Sequence, residues 1–171
     1  HDVSLRRLTG DDSKVSAHSL SELRTIRIRS VSSPAVQAPI PTLDEVLGLV
    51  SERLLVNIEL KNAVDPLCVA HGVVEHLERH RMRKRVILSS FFPRMLRAMR
   101  NVAPDIPRGF LMLNGLLPFR TKVQLGRWLC GSLDALHPHF SELDTESVGW
   151  LRQRGYHVHT WTVNEREDIL R

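Results

Sequence analysis

From residue 54 to the end of the chain, short apolar runs alternate with amphipathic stretches, and this alternation constrains the fold more than any other feature. Runs of strand length occur at 54–60, 86–90, 108–113, 135–137 with its neighbours, and 157–162. Between and after them, residues 65–80, 93–102, 121–129, 145–154 and 165 onward carry helical periodicity. Five strand–helix units in succession predict a parallel α/β architecture, because a parallel pair needs a long crossover and a helix supplies it. Pro66 and Pro93 fall in first helical turns, where a missing N–H costs least, and Gly155 suits a helix C-terminus before the next strand. Such an array is either an open doubly wound sheet or a closed barrel, and periodicity does not choose between them. No Gly-x-Gly-x-x-Gly or Walker-type loop follows any strand, which argues against a nucleotide-binding sheet.

The first fifty residues read differently. Residues 3–31 are polar and irregular, with a short helical candidate at 19–23. Residues 32–41 read as a Pro-rich connector, and Thr42 then has the spacing of a capping box with Glu45. The helix it opens carries Leu43, Val46, Leu47 and Val50 on one face.

Within the run at 54–60 the apolar pattern breaks at Glu59, and Lys61 follows at i+2, so both heads project from one strand face. A buried strand ending in two solvated charges is the plain reading. If the strand lines a barrel, the carboxylate is instead a hard oxygen ligand for Mg²⁺ or Ca²⁺ and the ammonium a point charge for phosphate. Glu59, Lys61, Ser90, His137 and Trp161 all fall at or just beyond strand C-terminal ends. That is the catalytic face of a (β/α)8 barrel.

Five blocks occur in a fixed order: His1-Asp2-Val3-Ser4-Leu5-Arg6-Arg7-Leu8-Thr9-Gly10, Pro41-Thr42-Leu43-Asp44-Glu45-Val46-Leu47, Asn57-Ile58-Glu59-Leu60-Lys61, Ser89-Ser90-Phe91 and Trp161-Thr162-Val163-Asn164. Together they resemble the glycerophosphodiester phosphodiesterase family, over residues 1–171. Thr9 is followed directly by Gly10, a slightly shorter loop than the family pattern. The resemblance implies a partial TIM (β/α)8 barrel of about five βα units, the third to the seventh, of the phosphatidylinositol-phosphodiesterase-like kind. It implies one domain over 1–171, incomplete at both ends, since the family's His-Arg-Gly strand, Glu-Asn pair, Glu-x-Asp strand and last βα unit have no counterpart here.

The same resemblance implies roles. His1 corresponds to one of two histidines that act as acid and base, a task suited to a group that titrates near neutrality. Glu59 corresponds to a ligand of a divalent cation, Mg²⁺ or Ca²⁺, Lys61 to a phosphate contact, and Trp161 to a wall of the substrate pocket. The implied activity is metal-dependent hydrolysis of a small-molecule glycerophosphodiester to sn-glycerol 3-phosphate and an alcohol. The rivals are a non-catalytic, partner-dependent remnant and a related barrel phospholipase, the latter disfavoured by only 5% aromatic residues and no amphipathic anchor. With one histidine and one carboxylate, the 171-residue segment by itself is expected to be inactive.

His137 is a candidate for the pocket lining, whereas His157 and His159 lack a nearby carboxylate and read as structural. Cys68 and Cys130, without CxxC spacing, are expected to be buried thiols of a reducing, cytoplasmic compartment. The run Arg79-His80-Arg81-Met82-Arg83-Lys84-Arg85 supplies much of the net charge of +5 and reads as a helix C-terminus, not a nucleic-acid surface. No run of about twenty apolar residues is present, so no transmembrane segment is expected.

Overall fold

The computed structural model describes residues 3–29, 37–115 and 117–170. The chain divides into two compact units, one ending at Ser51 and the other running from Glu52.

In the first unit, α1 (Arg6–Thr9) is closed by Gly10 in the left-handed region at φ 83°. A 3₁₀ turn at Val15–Ala17 leads to α2 (Leu20–Thr25), where Ser19 and Glu22 form a capping box. The strands β1 (Arg27–Arg29) and β2 (Gln37–Pro39) then pair antiparallel. This ribbon was not anticipated, and β2 occupies part of the expected connector, whose residues 32–36 lie outside the described residues. The helix α3 (Leu43–Val50) has the expected capping box, with Thr42 Oγ1 accepting from Glu45 N–H and Glu45 accepting from Thr42 N–H. Two orphan donors of the first turn are thereby satisfied. Leu47 is fully buried, and Arg24 ties α2 to the start of this helix by donating to Ile40 O and Glu45 Oε2.

The second unit alternates strand and helix throughout: β3 (Val56–Glu59), α4 (Pro66–Arg79), β4 (Val86–Ser90), α5 (Pro93–Val102), β5 (Arg108–Met112), α6 (Phe119–Cys130), β6 (Ala135–Pro138), α7 (Thr145–Gln153), β7 (His157–Val158) and α8 (Arg166–Leu170). All five strands are parallel and stand in chain order, β3-β4-β5-β6-β7. A doubly wound sheet reverses its strand order at a switch point, and this sheet does not. Right-handed crossovers in one direction stack the helices on one face, so the architecture is a partial (β/α)8 barrel.

The helix-facing core confirms the sidedness. Met112, Leu136 and Val158 point to it from the strands and meet Val123 of α6 and Leu151 of α7, with Tyr156 and Phe110 alongside. Leu136 and Leu151 are completely buried, each contributing about 1.5–3 kcal/mol by transfer from water. Residues one step along each strand necessarily face the opposite, inner side.

Several boundaries move. Leu54 and Leu55 lie exposed ahead of β3. The last strand has two ladder residues, after which the chain stays extended and makes a single bridge between Trp161 and His139. Cys130 is buried as expected, and burial pushes its thiol up to about 12. Cys68 is exposed, because it sits in the first turn of α4, off the buried stripe of Ala70, Val73, Val74 and Leu77. The basic run is partly neutralised: Arg79 pairs with Glu75, and Arg83 with Glu78 and Asp105. No helix of the described residues is long and apolar enough to cross a membrane.

Candidate functional site

The register places Glu59, Ser89, Gly109, Ala135 and His157 in one row across the five strands, all on the inner face. Two residues further toward the C-terminal ends lies a second inner row with Lys61, Leu111, His137 and His159. The Glu59 and Lys61 side chains meet as the sequence predicts: Lys61 Nζ donates to Glu59 Oε1, and both are half-buried. A carboxylate and an ammonium at the mouth of a barrel strand give a hard oxygen donor beside a cation, which is a surface for a metal-bound or cation-bound anion. Glu59 is a single carboxylate, and among the described residues no group of three or more His, Cys, Asp or Glu side chains converges on one point. His1 lies outside the described residues.

Trp161 closes the other side of the mouth. Its Nε1–H donates to the main-chain oxygen of His137 at 2.8 Å, and its ring packs edge-on against Phe91 at 5.3 Å and His139 at 5.1 Å. The half-buried indole thus presents carbon surface at the ends of β4 and β6, a wall suited to the aliphatic part of a ligand.

The candidate for the pocket lining, His137, does not line it. His137 is 3% exposed, and its imidazole fills the space a side chain on Gly109 would occupy, with Nε2 only 2.3 Å from an alanine Cβ placed there. Burial, reinforced by the neighbouring His159 ring at 4.8 Å, lowers His137 to about 4. It is a neutral core residue at ordinary pH, and its Nε2 has no hydrogen-bond partner among the described residues. Ser90 is likewise structural: its Oγ donates to Leu60 O at 2.6 Å and accepts from Phe92 N–H at 3.0 Å, fixing the strand end from which Phe91 projects.

The residue that reaches the mouth in place of His137 is His139, two positions on. The sequence alone does not single it out, because the alternation cannot tell which of two histidines on one face stops short of solvent. Its position one residue beyond the end of β6 is the signal that distinguishes it. At the opposite, N-terminal end of the strands, Arg108 is buried and donates to Pro104 O, Ile106 O and Ser132 Oγ.

Comparison with known proteins gives a consistent picture. The model of the Glycerophosphoryl diester phosphodiesterase family matches residues 1–171. A glycerophosphodiester phosphodiesterase of Caldanaerobacter subterraneus subsp. tengcongensis is 27% identical over the whole chain and 70% of its own length. One from Bacillus subtilis is 24% identical, again over the whole chain, which spans 63% of that relative. Among solved structures, an Oleispira antarctica phosphodiesterase in complex with the product sn-glycerol-3-phosphate superposes with a TM-score of 0.83 at 26% identity, covering 99% of this chain and 68% of that one.

Proposed function

The chain belongs to the glycerophosphoryl diester phosphodiesterase family, whose members are phosphoric diester hydrolases, and on that footing we propose that the natural protein hydrolyses glycerophosphodiesters to sn-glycerol 3-phosphate and an alcohol. The observation that carries the reading is the Glu59–Lys61 pair at the inner mouth of β3.

In this proposal Lys61 holds a non-bridging phosphate oxygen through its ammonium and neutralises charge that grows as phosphorus is attacked. Glu59 is one ligand of a divalent cation, Mg²⁺ or Ca²⁺. The donor chemistry fits: Lys61 engages Oε1, and a carboxylate has lone pairs for a second cation on its other oxygen. When bound, the cation supplies Lewis-acid polarisation of the phosphoryl group. Trp161 packs against the carbon skeleton of the substrate, its indole donor being already committed to His137 O. His1 serves as a proton carrier, a role that rests on the family resemblance and on the chemistry of imidazole. Free thiols at Cys68 and Cys130 support a cytoplasmic setting, and a place in lipid and glycerol metabolism follows from the substrate class.

The test is to incubate the full-length natural protein with glycerophosphocholine and measure sn-glycerol 3-phosphate, before and after chelation and on adding back Mg²⁺ or Ca²⁺. Product that disappears with chelator and returns with cation supports the proposal. No product from any glycerophosphodiester across both cations would overturn it.

A further inference from the structure

The aromatic wall at the mouth contains one polar atom that nothing in the fold uses. His139 is half-buried and packs edge-on against Trp161 at 5.1 Å, beside which it is also bridged through the main chain. Its Nδ1 accepts from Ser141 N–H at 3.3 Å, which caps the 3₁₀ turn Phe140–Glu142, and lies 2.8 Å from Ser141 Oγ. Asn114 Nδ2 donates to that same Oγ at 3.1 Å, and the hydroxyl proton is free to point at His139 Nδ1. The Ser141 N–H contact needs Nδ1 as an acceptor, and the hydroxyl can serve either tautomer. The neutral ring therefore carries its proton on Nε2, and Nε2–H has no partner among the described residues.

The turn that holds Nδ1 is braced from the neighbouring loop. Lys122, paired with Glu142, donates to Leu113 O, and Gly115 N–H donates to the same carboxylate, so the segment carrying Asn114 is tied to the turn carrying Ser141. Around it the other wall residues offer no hydrogen-bond donor: Phe91 has none and Trp161 Nε1–H is spent on His137 O. His139 stands three strands from β3, about 14 Å along the sheet at the usual strand spacing. A ligand held by Lys61 through its phosphate thus meets His139 with a different part.

We propose that His139 Nε2–H is the hydrogen-bond donor that reads a hydroxyl on the glycerol portion of the ligand, making His139 a specificity-determining residue. The inference rests on the function proposed above for the orientation of the ligand, with phosphate at Lys61 and carbon skeleton at Trp161. The bland alternative, a turn-capping histidine, uses Nδ1 alone and gives Nε2–H no role.

The experiment compares two probes in the full-length protein by calorimetry: sn-glycerol 3-phosphate, which has the hydroxyls, and inorganic phosphate, which lacks them. In wild type the organic phosphate binds more tightly. His139→Phe keeps the ring against Trp161 and removes the donor, and should reduce that preference about three- to tenfold, the worth of one neutral hydrogen bond. His139→Gln puts an amide N–H near the Nε2 position and should restore the preference to within about twofold of wild type. Phosphate binding in each variant serves as the check that the site is folded. An unchanged preference in the Phe variant, equal losses in Phe and Gln, or a wild type that does not prefer sn-glycerol 3-phosphate would each overturn the assignment. Failure of the phosphodiesterase reading is visible separately, as binding of sn-glycerol 3-phosphate without hydrolysis of any glycerophosphodiester.

Discussion

Replacing Gly109 by alanine tests the packing that holds the inner face together. An alanine Cβ would lie 2.3 Å from His137 Nε2, 2.7 Å from Cδ2 and 3.0 Å from Cε1, so the ring has to withdraw by about 1 Å to reach ordinary contact near 3.5 Å. It has nowhere easy to go, being 3% exposed, with the His159 ring on one side. Gly109 is not among the glycines with positive φ, so without the clash alanine would stabilise the strand by about 0.5–1 kcal/mol. Overpacking of this kind costs about 1–3 kcal/mol, and the sign of the net effect therefore reports the clash. Set against the alanine gain, the net cost is up to about 2.5 kcal/mol, and at 2–4 °C per kcal/mol for a protein of this size the melting temperature of the full-length protein should fall by up to about 10 °C. His137→Ala in the same background removes the obstruction, so a double-mutant cycle should return a coupling of about 1 kcal/mol or more. A Gly109→Ala protein at least as stable as wild type, or a coupling near zero, would refute the seating of His137 over Gly109.

Three further outcomes follow from the same geometry. Lys61→Met keeps most of the aliphatic stem and removes the charge, so catalytic efficiency should drop and product inhibition by sn-glycerol 3-phosphate should weaken; equal inhibition constants in both proteins would show Lys61 to be a solvated strand end. His137, held at about 4 in the fold against 6.5 when free, is protonated more readily in the unfolded chain, so its contribution is present above pH 6.5 and is lost as pH falls from 6.5 towards 4. By pH 5 the loss is about 2 kcal/mol, measurable as a urea midpoint that shifts with pH in wild type and shifts less in His137→Asn. Thr42→Ala removes one half of the capping box on α3 and should cost about 1 kcal/mol, read from the denaturation midpoint, whereas Thr42→Ser should be nearly neutral.

The alternation after residue 54 made the parallel α/β architecture legible, and Pro93–Val102 and Val86–Ser90 fall where the pattern puts them. Strand β3 is three residues shorter than the apolar run, two of them at its start because Leu54 and Leu55 are apolar but face solvent, and apolar composition alone does not report burial. The β1–β2 ribbon was invisible because its strands are three residues each and carry Arg and Gln in place of an apolar alternation. Within the site, the i, i+2 spacing of Glu59 and Lys61 was enough to bring the two heads together. It was not enough to separate His137 from His139, since both share one face. What decides between them is the absent side chain of Gly109 on the neighbouring strand, which gives the His137 ring a buried seat. Cross-strand complementarity of that kind depends on register, and register is a property of the paired sheet.

The central claim is that the carboxylate at the mouth of β3 serves phosphodiester hydrolysis. Glu59→Gln keeps the shape of the side chain and removes the proposed metal ligand and the charge facing Lys61. The decisive measurement is the initial rate of sn-glycerol 3-phosphate release from glycerophosphocholine by the full-length wild-type and Glu59→Gln proteins across a Mg²⁺ or Ca²⁺ titration, with thermal melts to confirm that both are folded. A fall in kcat/KM of about 100-fold or more in a folded variant, with saturation shifted to higher cation concentration, is the predicted result. Equal rates and equal cation dependence in the two proteins would contradict it and move the active site away from Glu59.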